Sequence, residues 1–458
     1  MFIDHAYIEE LLQKAAKCTK EEQDSVIAKA ERGEKLDYYD IAVLLQVEDD
    51  VQMTRIYALA GDIKKKIYGN RIVLFAPLYV SNYCVNNCVY CGYRNCSGMQ
   101  RVKLTREQIQ EEVKALEKMG HKRLAMEAGE DPVNCPIEYI LDCLDAVYET
   151  KLDNGSIRRV NVNIAATTVE NYRKLQEKGI GTYILFQETY HQPTYEKMHP
   201  KSLKGDYEYH LTAFDRAMEG GIDDVGAGAL FGLYEPKFEV IALMMHNAHL
   251  EERFNCGFHT ISMPRLRKAE SIDPGAFPYS VDDATFKKLV AIIRIAVPFT
   301  GIIMSTRESA AMRKELLHYG VSQVSAGSCT GVGGYKDENI HTPTDQFQVI
   351  DERKPLEVIK SLIDDGYIPS YCTACYRMGR TGDRFMELAK SGNIHNVCTP
   401  NALMTLMEYI LDYGDPELME KGMRLIDNEI AKLENDNVRN TAIRNIEKMR
   451  QGQRDLFF

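Results

Sequence analysis

Eight short runs of β-branched and apolar residues, each followed by a longer amphipathic stretch, begin near residue 72 of this 458-residue chain. They read I-V-L-F-A-P-L-Y-V over 72–80, R-L-A-M-E-A over 123–128, V-N-V-N-I over 160–164 and T-Y-I-L-F over 182–186. The series continues with V-G-A-G-A-L over 225–230, H-T-I-S-M over 259–263, G-I-I-M-S over 301–305 and V-S-Q-V-S over 321–325. Such alternation favours parallel pairing through right-handed crossovers. Eight β/α units within about 250 residues predict a (β/α)8 barrel of TIM type, ahead of an open doubly wound sheet. Helix starts are marked too. Thr105 and Gln108 form a capping box ahead of Ile109, Val113 and Leu116, and Thr167 with Glu170 repeats it before Tyr172 and Leu175.

The flanks lack this rhythm. Residues 1–70 read as a polar helical extension, with Ile8, Leu11, Leu12, Ile41, Leu44 and Leu45 at helical spacing. The barrel is expected over 71–345, and 346–458 reads as a mainly helical C-terminal domain without strands. The glycine-bearing connection from Ser325 to Pro343 has no Gly-Lys-Ser/Thr and opens no helix, so it reads as a lid or linker rather than a phosphate loop.

A formal net charge of −11 opposes a nucleic-acid partner, and the basic run Lys64-Lys65-Lys66 reads as a solvated helix face. No signal peptide and no apolar run of membrane-spanning length are evident, so no membrane partner and a cytoplasmic location are expected. Twelve cysteines are too few for a disulfide scaffold, and six fall in two tight constellations, which points to metal ligation in a reducing compartment.

Cys84, Cys88 and Cys91 form C-x3-C-x2-C directly after the first strand. Three thiolates on one loop can each hold an iron of a cubane cluster and leave its fourth iron open, whereas structural zinc wants four ligands. Barrel loops after the strands form the reactive face. There Tyr93 can reach a reacting group or simply pack. Asn163, Glu188, Tyr190 and His191 are candidate ribose, carboxylate or substrate contacts, or local hydrogen-bond partners. Arg307, after the seventh strand, offers a planar fork for an amino-acid carboxylate, or pairs with a nearby acid. The second constellation is Cys372 and Cys375 with Cys398. From spacing alone, a zinc site completed by His395 and a second iron–sulfur cluster both fit.

The first loop resembles the radical S-adenosylmethionine (SAM) enzymes, and A-G-E at 128–130 resembles the motif that places a carboxylate, here Glu130, on the SAM amino group. Combined with H-T-I-S-M-P-R-L from His259 and C-T-A-C-Y-R-M-G-R-T-G from Cys372, the chain resembles the HydG family, tyrosine lyases of [FeFe]-hydrogenase maturation. Related thiamine-pathway tyrosine lyases lack the C-x2-C-x22-C segment. The resemblance implies a [4Fe-4S] cluster with SAM on the first three cysteines. It also implies an auxiliary cluster on Cys372, Cys375 and Cys398, linked through a free cysteine to a dangler iron that takes His259. L-tyrosine would be cleaved to p-cresol and dehydroglycine, and the latter to CO and cyanide. A ferredoxin or flavodoxin donor and other hydrogenase maturation proteins are the implied partners. Because His259 opens the sixth strand, its metal is expected at the mouth opposite Cys84, on the order of 20 Å away.

Overall fold

The computed structural model describes residues 2–267, 272–337 and 342–458. All eight expected strands are present: Arg71–Ser81, Arg123–Ala128, Arg159–Asn163, Tyr183–Glu188, Val225–Ala229, Thr260–Ser262, Gly301–Met304 and Gln323–Ser325. Each pairs in parallel with the next, and the eighth returns to the first through Val73↔Gln323, Leu74↔Val324 and Phe75↔Ser325, closing the barrel. The open-sheet alternative is thereby excluded. Four residues of the expected lid, 338–341, lie outside the described residues.

A ninth strand, Ile368–Ser370, adds in parallel to the lower end of the first, with Arg71↔Ile368 and Val73↔Ser370. This corrects the expectation of a strand-free C-terminal segment. The run is three residues long and contains Pro369, which cannot donate to a ladder; it is tolerated because the strand has a neighbour on one side only. The strand delivers the chain straight to Cys372. A small antiparallel hairpin, Lys151–Leu152 with Gly155–Ser156, is a further addition.

Helix Arg106–Lys118 begins with the expected capping box on Thr105 and Gln108. The next device shifts by one residue: helix Val169–Glu177 is capped by Thr168, whose hydroxyl accepts from Asn171 N, while Thr167 binds the Asn171 side chain. Four helices precede the barrel, burying Ile8, Leu11, Ile41, Leu44 and Leu45. The last, Asp50–Tyr68, packs along barrel helix Asp283–Ala296. Its basic run is not wholly solvated. Lys64 is buried, its ammonium donating to the Leu317 carbonyl at 2.7 Å, and burial holds its pKa well below the usual lysine range. Lys65 and Lys66 are exposed. Among the described residues no helix is long and apolar enough to cross a membrane.

Candidate functional site

Cys84, Cys88 and Cys91 line one cavity at the C-terminal mouth of the barrel, about 1100 Å³ counted to its opening. The loop is held by its neighbours. Val85 N donates to the Glu130 carbonyl at 2.8 Å, Asn86 Nδ2 donates to the Glu130 carboxylate at 2.6 Å, and Val89 N donates to the Met198 carbonyl at 3.0 Å. Gly129 is needed beneath it, because a Cβ there would lie 2.3 Å from the Tyr83 carbonyl oxygen and 3.1 Å from Cys84 Cβ. Burial pushes the Cys91 thiol up to about 11 and Cys88 higher still, so these thiolates need a cation beside them. All twelve cysteines are free. Among the described residues no three His, Cys, Asp or Glu side chains converge as ligands of a single ion would. Thiols spread around one cavity fit a cluster, where each grips its own iron.

The same cavity receives Glu130, Asn163, Glu188, Tyr93 and Arg307. Glu188 ends the fourth strand at φ 67°, a strained value for a side chain of this size, and pairs with Lys204 Nζ at 2.7 Å. The Tyr93 hydroxyl is committed to the Thr330 carbonyl at 3.1 Å. Arg307 stacks on Phe347, its guanidinium carbon 3.5 Å from the ring centroid, and has no carboxylate at ion-pairing distance among the described residues. Tyr190 and His191 are not brought to the cavity. The Tyr190 hydroxyl meets His246 Nδ1 at 3.0 Å, and the His191 ring stacks on Tyr234 at 3.8 Å with Nδ1 on Thr194. Both follow the turn at Glu188, which directs the chain outward into helix Gln192–Met198.

A deep apolar pocket continues downward, sharing Glu127, Asn163, Phe186, Pro264, Arg307 and Phe347 with the upper cavity. Gly228 of the fifth strand makes room for its wall: a Cβ there would lie 2.8 Å from the Phe186 ring. Glu127, Lys204 and Phe347 escaped the sequence reading. Glu127 had a signal, a lone acid after the apolar stretch Leu124–Met126 of a barrel strand; Lys204 and Phe347 had none.

At the opposite mouth, Cys372, Cys375, Cys398 and His259 line one pocket. His259 Nδ1 lies 3.5 Å from Asp224, and Nε2 meets the Tyr376 hydroxyl at 3.2 Å. Burial lowers the histidine pKa, which keeps one ring nitrogen unprotonated and able to bind a metal in place of the Tyr376 hydroxyl, and a carboxylate behind the other nitrogen is the usual orienting partner. The Cys398 thiol is pulled down by a hydrogen bond from Cys375 and by the nearby Arg71 and Arg380. Arg123 donates to the Cys372 carbonyl at 2.9 Å, and Arg159 stacks on Tyr376 with 3.3 Å to the ring centroid. His395, the zinc candidate, lies close enough to Cys398 to influence its charge but does not line the pocket, and its Nε2 meets the Lys66 carbonyl at 2.7 Å. Helix Ile394–Tyr413 buries Cys398, while His395 sits in its first turn and turns its ring to the end of helix Asp50–Tyr68.

Residues 78–245 match the family model of the Radical SAM superfamily, and residues 262–368 that of the Biotin and Thiamin Synthesis associated domain. The 2-iminoacetate synthase of Escherichia coli (strain K12) is 30% identical over 348 residues, spanning 75% of this chain and 89% of that protein. A crystal structure of HydG, a maturase of the [FeFe]-hydrogenase, superposes with a TM-score of 0.97 at 57% identity, covering 100% of both chains. The FeFe-hydrogenase maturase HydG from Carboxydothermus hydrogenoformans gives 0.85 at 38% identity, covering 96% of this chain and 97% of that one.

Proposed function

Since the chain belongs to the HydG family of radical SAM enzymes, we propose that it cleaves L-tyrosine to p-cresol and dehydroglycine, then splits dehydroglycine to CO and cyanide for hydrogenase assembly. One observation carries this reading: two thiol-lined pockets stand at opposite mouths of one barrel, with the guanidinium of Arg307 stacked on Phe347 in the upper one. Cys84, Cys88 and Cys91 would hold the [4Fe-4S] cluster, which with SAM supplies a 5′-deoxyadenosyl radical when bound. Cys372, Cys375 and Cys398 would hold the auxiliary cluster and His259 its extra iron, the point of CO and cyanide capture.

The chain's own groups bind and shield. Arg307 holds the tyrosine carboxylate in two parallel hydrogen bonds, its plane fixed by Phe347. Glu130, Asn163 and Glu188 hold the polar groups of SAM, with Lys204 neutralising Glu188. Tyr93 is a wall residue, since its hydroxyl is already bonded. The apolar deep pocket excludes water from the reacting groups. Electrons come from a ferredoxin or flavodoxin, and the product passes to other hydrogenase maturation proteins.

Anaerobic turnover with SAM, dithionite and tyrosine tests the reading. Formation of p-cresol, CO and cyanide is expected. p-Cresol without CO would favour a 2-iminoacetate synthase, and absence of all three would overturn the proposal.

A further inference from the structure

Glu127 is the fifth residue of the second strand (Arg123–Ala128), and it lines both the upper cavity and the deep pocket beneath. Arg307 lines the same two spaces. Asn163 and Arg307 share both walls with Glu127 and each favours its charged form, Arg307 without forming an ion pair with it. A guanidinium and a carboxyl that share a water-poor space without touching leave a slot whose two ends match the carboxylate and the amino group of an amino acid. An isolated buried carboxylate is costly, and burial pushes the Glu127 carboxyl up to about 8. The α-ammonium of a free amino acid is a somewhat weaker acid than a peptide amino terminus, still close enough in strength for a proton to pass between such partners at modest cost.

We propose that Glu127 holds the α-amino group of the substrate and removes one of its protons, while Arg307 holds the carboxylate at the other end. The inference rests on the amino-acid lyase reading above. The ammonium gives one proton to the Glu127 carboxylate, the N–H electron pair stays on nitrogen as a lone pair, and a neutral amine faces a carboxylic acid. No heavy-atom bond changes and no electron leaves. A neutral amine gives up a hydrogen atom more readily than an ammonium, because its lone pair stabilises the nitrogen radical. Other titratable groups line the upper cavity, among them His210, bonded to the Phe186 carbonyl, and Arg267, paired with Glu308. Tyr79, from the first strand, is held well above its ordinary value by burial and stays neutral; Glu188 is paired with Lys204, and Glu130 is bonded to Asn86.

With one proton shared inside the bound complex, kcat for p-cresol in the wild-type holoenzyme stays flat between about pH 7 and 9. Glu127→Gln keeps the shape and loses the base. Its kcat is expected to fall at pH 7 and to climb about tenfold per pH unit, because only the free amine then reacts. Competition with 3-(4-hydroxyphenyl)propionate, which lacks the amine, gives a second readout. Wild type prefers tyrosine to this analogue, and Glu127→Gln is expected to lose that preference. SAM cleavage without substrate reports that the variant folds. Should it not fold, Glu127→Asp carries the test: a lowered but flat kcat supports the role, and an unchanged kcat and preference overturns it. A flat, wild-type profile with intact tyrosine preference in Glu127→Gln also overturns it. Wild type that makes no p-cresol would instead sink the lyase reading itself.

Discussion

Arg307 owes its usefulness to Phe347: stacking at 3.5 Å from the ring centroid holds the guanidinium plane while leaving its edge toward the cavity. Lysine offers neither plane nor fork. Arg307→Lys is expected to lower kcat/KM for tyrosine by about tenfold to a hundredfold, or roughly 1.5–3 kcal/mol, with SAM affinity unchanged. An unaltered kcat/KM would make Arg307 structural. Cys88→Ala is expected to abolish deoxyadenosine and p-cresol together, and retained p-cresol would contradict the role of the upper cysteines. At this scale Cys84, Cys88, Cys91, Glu130, Asn163, Glu188 and Arg307, which the fold gathers around the upper cavity, could be picked out because each ends or follows a barrel strand. His259 could because it opens one, whereas Cys372, Cys375 and Cys398 stood out by spacing alone. Tyr190 and His191 misled because strand-end position does not fix direction, and the left-handed turn at Glu188 carries them away. Lys204 and Phe347 could not be found this way, since only the folded chain brings a short helical turn and a distant loop against Glu188 and Arg307.

Among the elements, the segment after the eighth strand forms a wall of the upper cavity through Gln346 and Phe347. Helix Arg106–Lys118 anchors it: the buried Glu112 carboxylate accepts from Tyr335 N at 2.8 Å and Lys336 N at 2.9 Å. The Tyr335 hydroxyl donates to the Pro77 carbonyl at 2.7 Å, tying the segment to the first strand. Glu112→Ala removes both backbone contacts and is expected to cost about 1–3 kcal/mol of stability and to raise KM for tyrosine. Chemical denaturation and substrate saturation check this; unchanged values in both would show the anchor to be dispensable. The eight barrel strands could be read because apolar runs alternate with amphipathic helices at regular spacing. The ninth could not, since three residues around Pro369 carry no periodicity and exist as a strand only because Arg71–Val73 has a free edge.

Across the whole molecule, one strand links the two mouths. Arg123 lines the lower pocket, Ala125 the deep pocket, and Glu127 the deep pocket and the upper cavity. Four residues at about 3.3 Å each place Arg123 and Glu127 about 13 Å apart along the strand. The first and eighth strands repeat the pattern, with Val73 and Gln323 below, and Phe75 and Ser325 above. A reactive imine would travel along the barrel interior instead of through bulk water. The N-terminal helices serve this arrangement from below, since Tyr68, whose hydroxyl donates to the Phe299 carbonyl at 2.6 Å, lines the lower pocket. His259→Ala is expected to leave p-cresol formation intact while lowering CO yield, because Asp224 and Tyr376 then flank an empty position. The most direct test of two chemically separate mouths is product analysis of Cys372→Ala/Cys375→Ala beside wild type, both turned over anaerobically with SAM, dithionite and tyrosine. The expected result is p-cresol at close to the wild-type rate with CO lost; CO released at the wild-type yield, or p-cresol lost together with CO in a folded variant, would contradict the account.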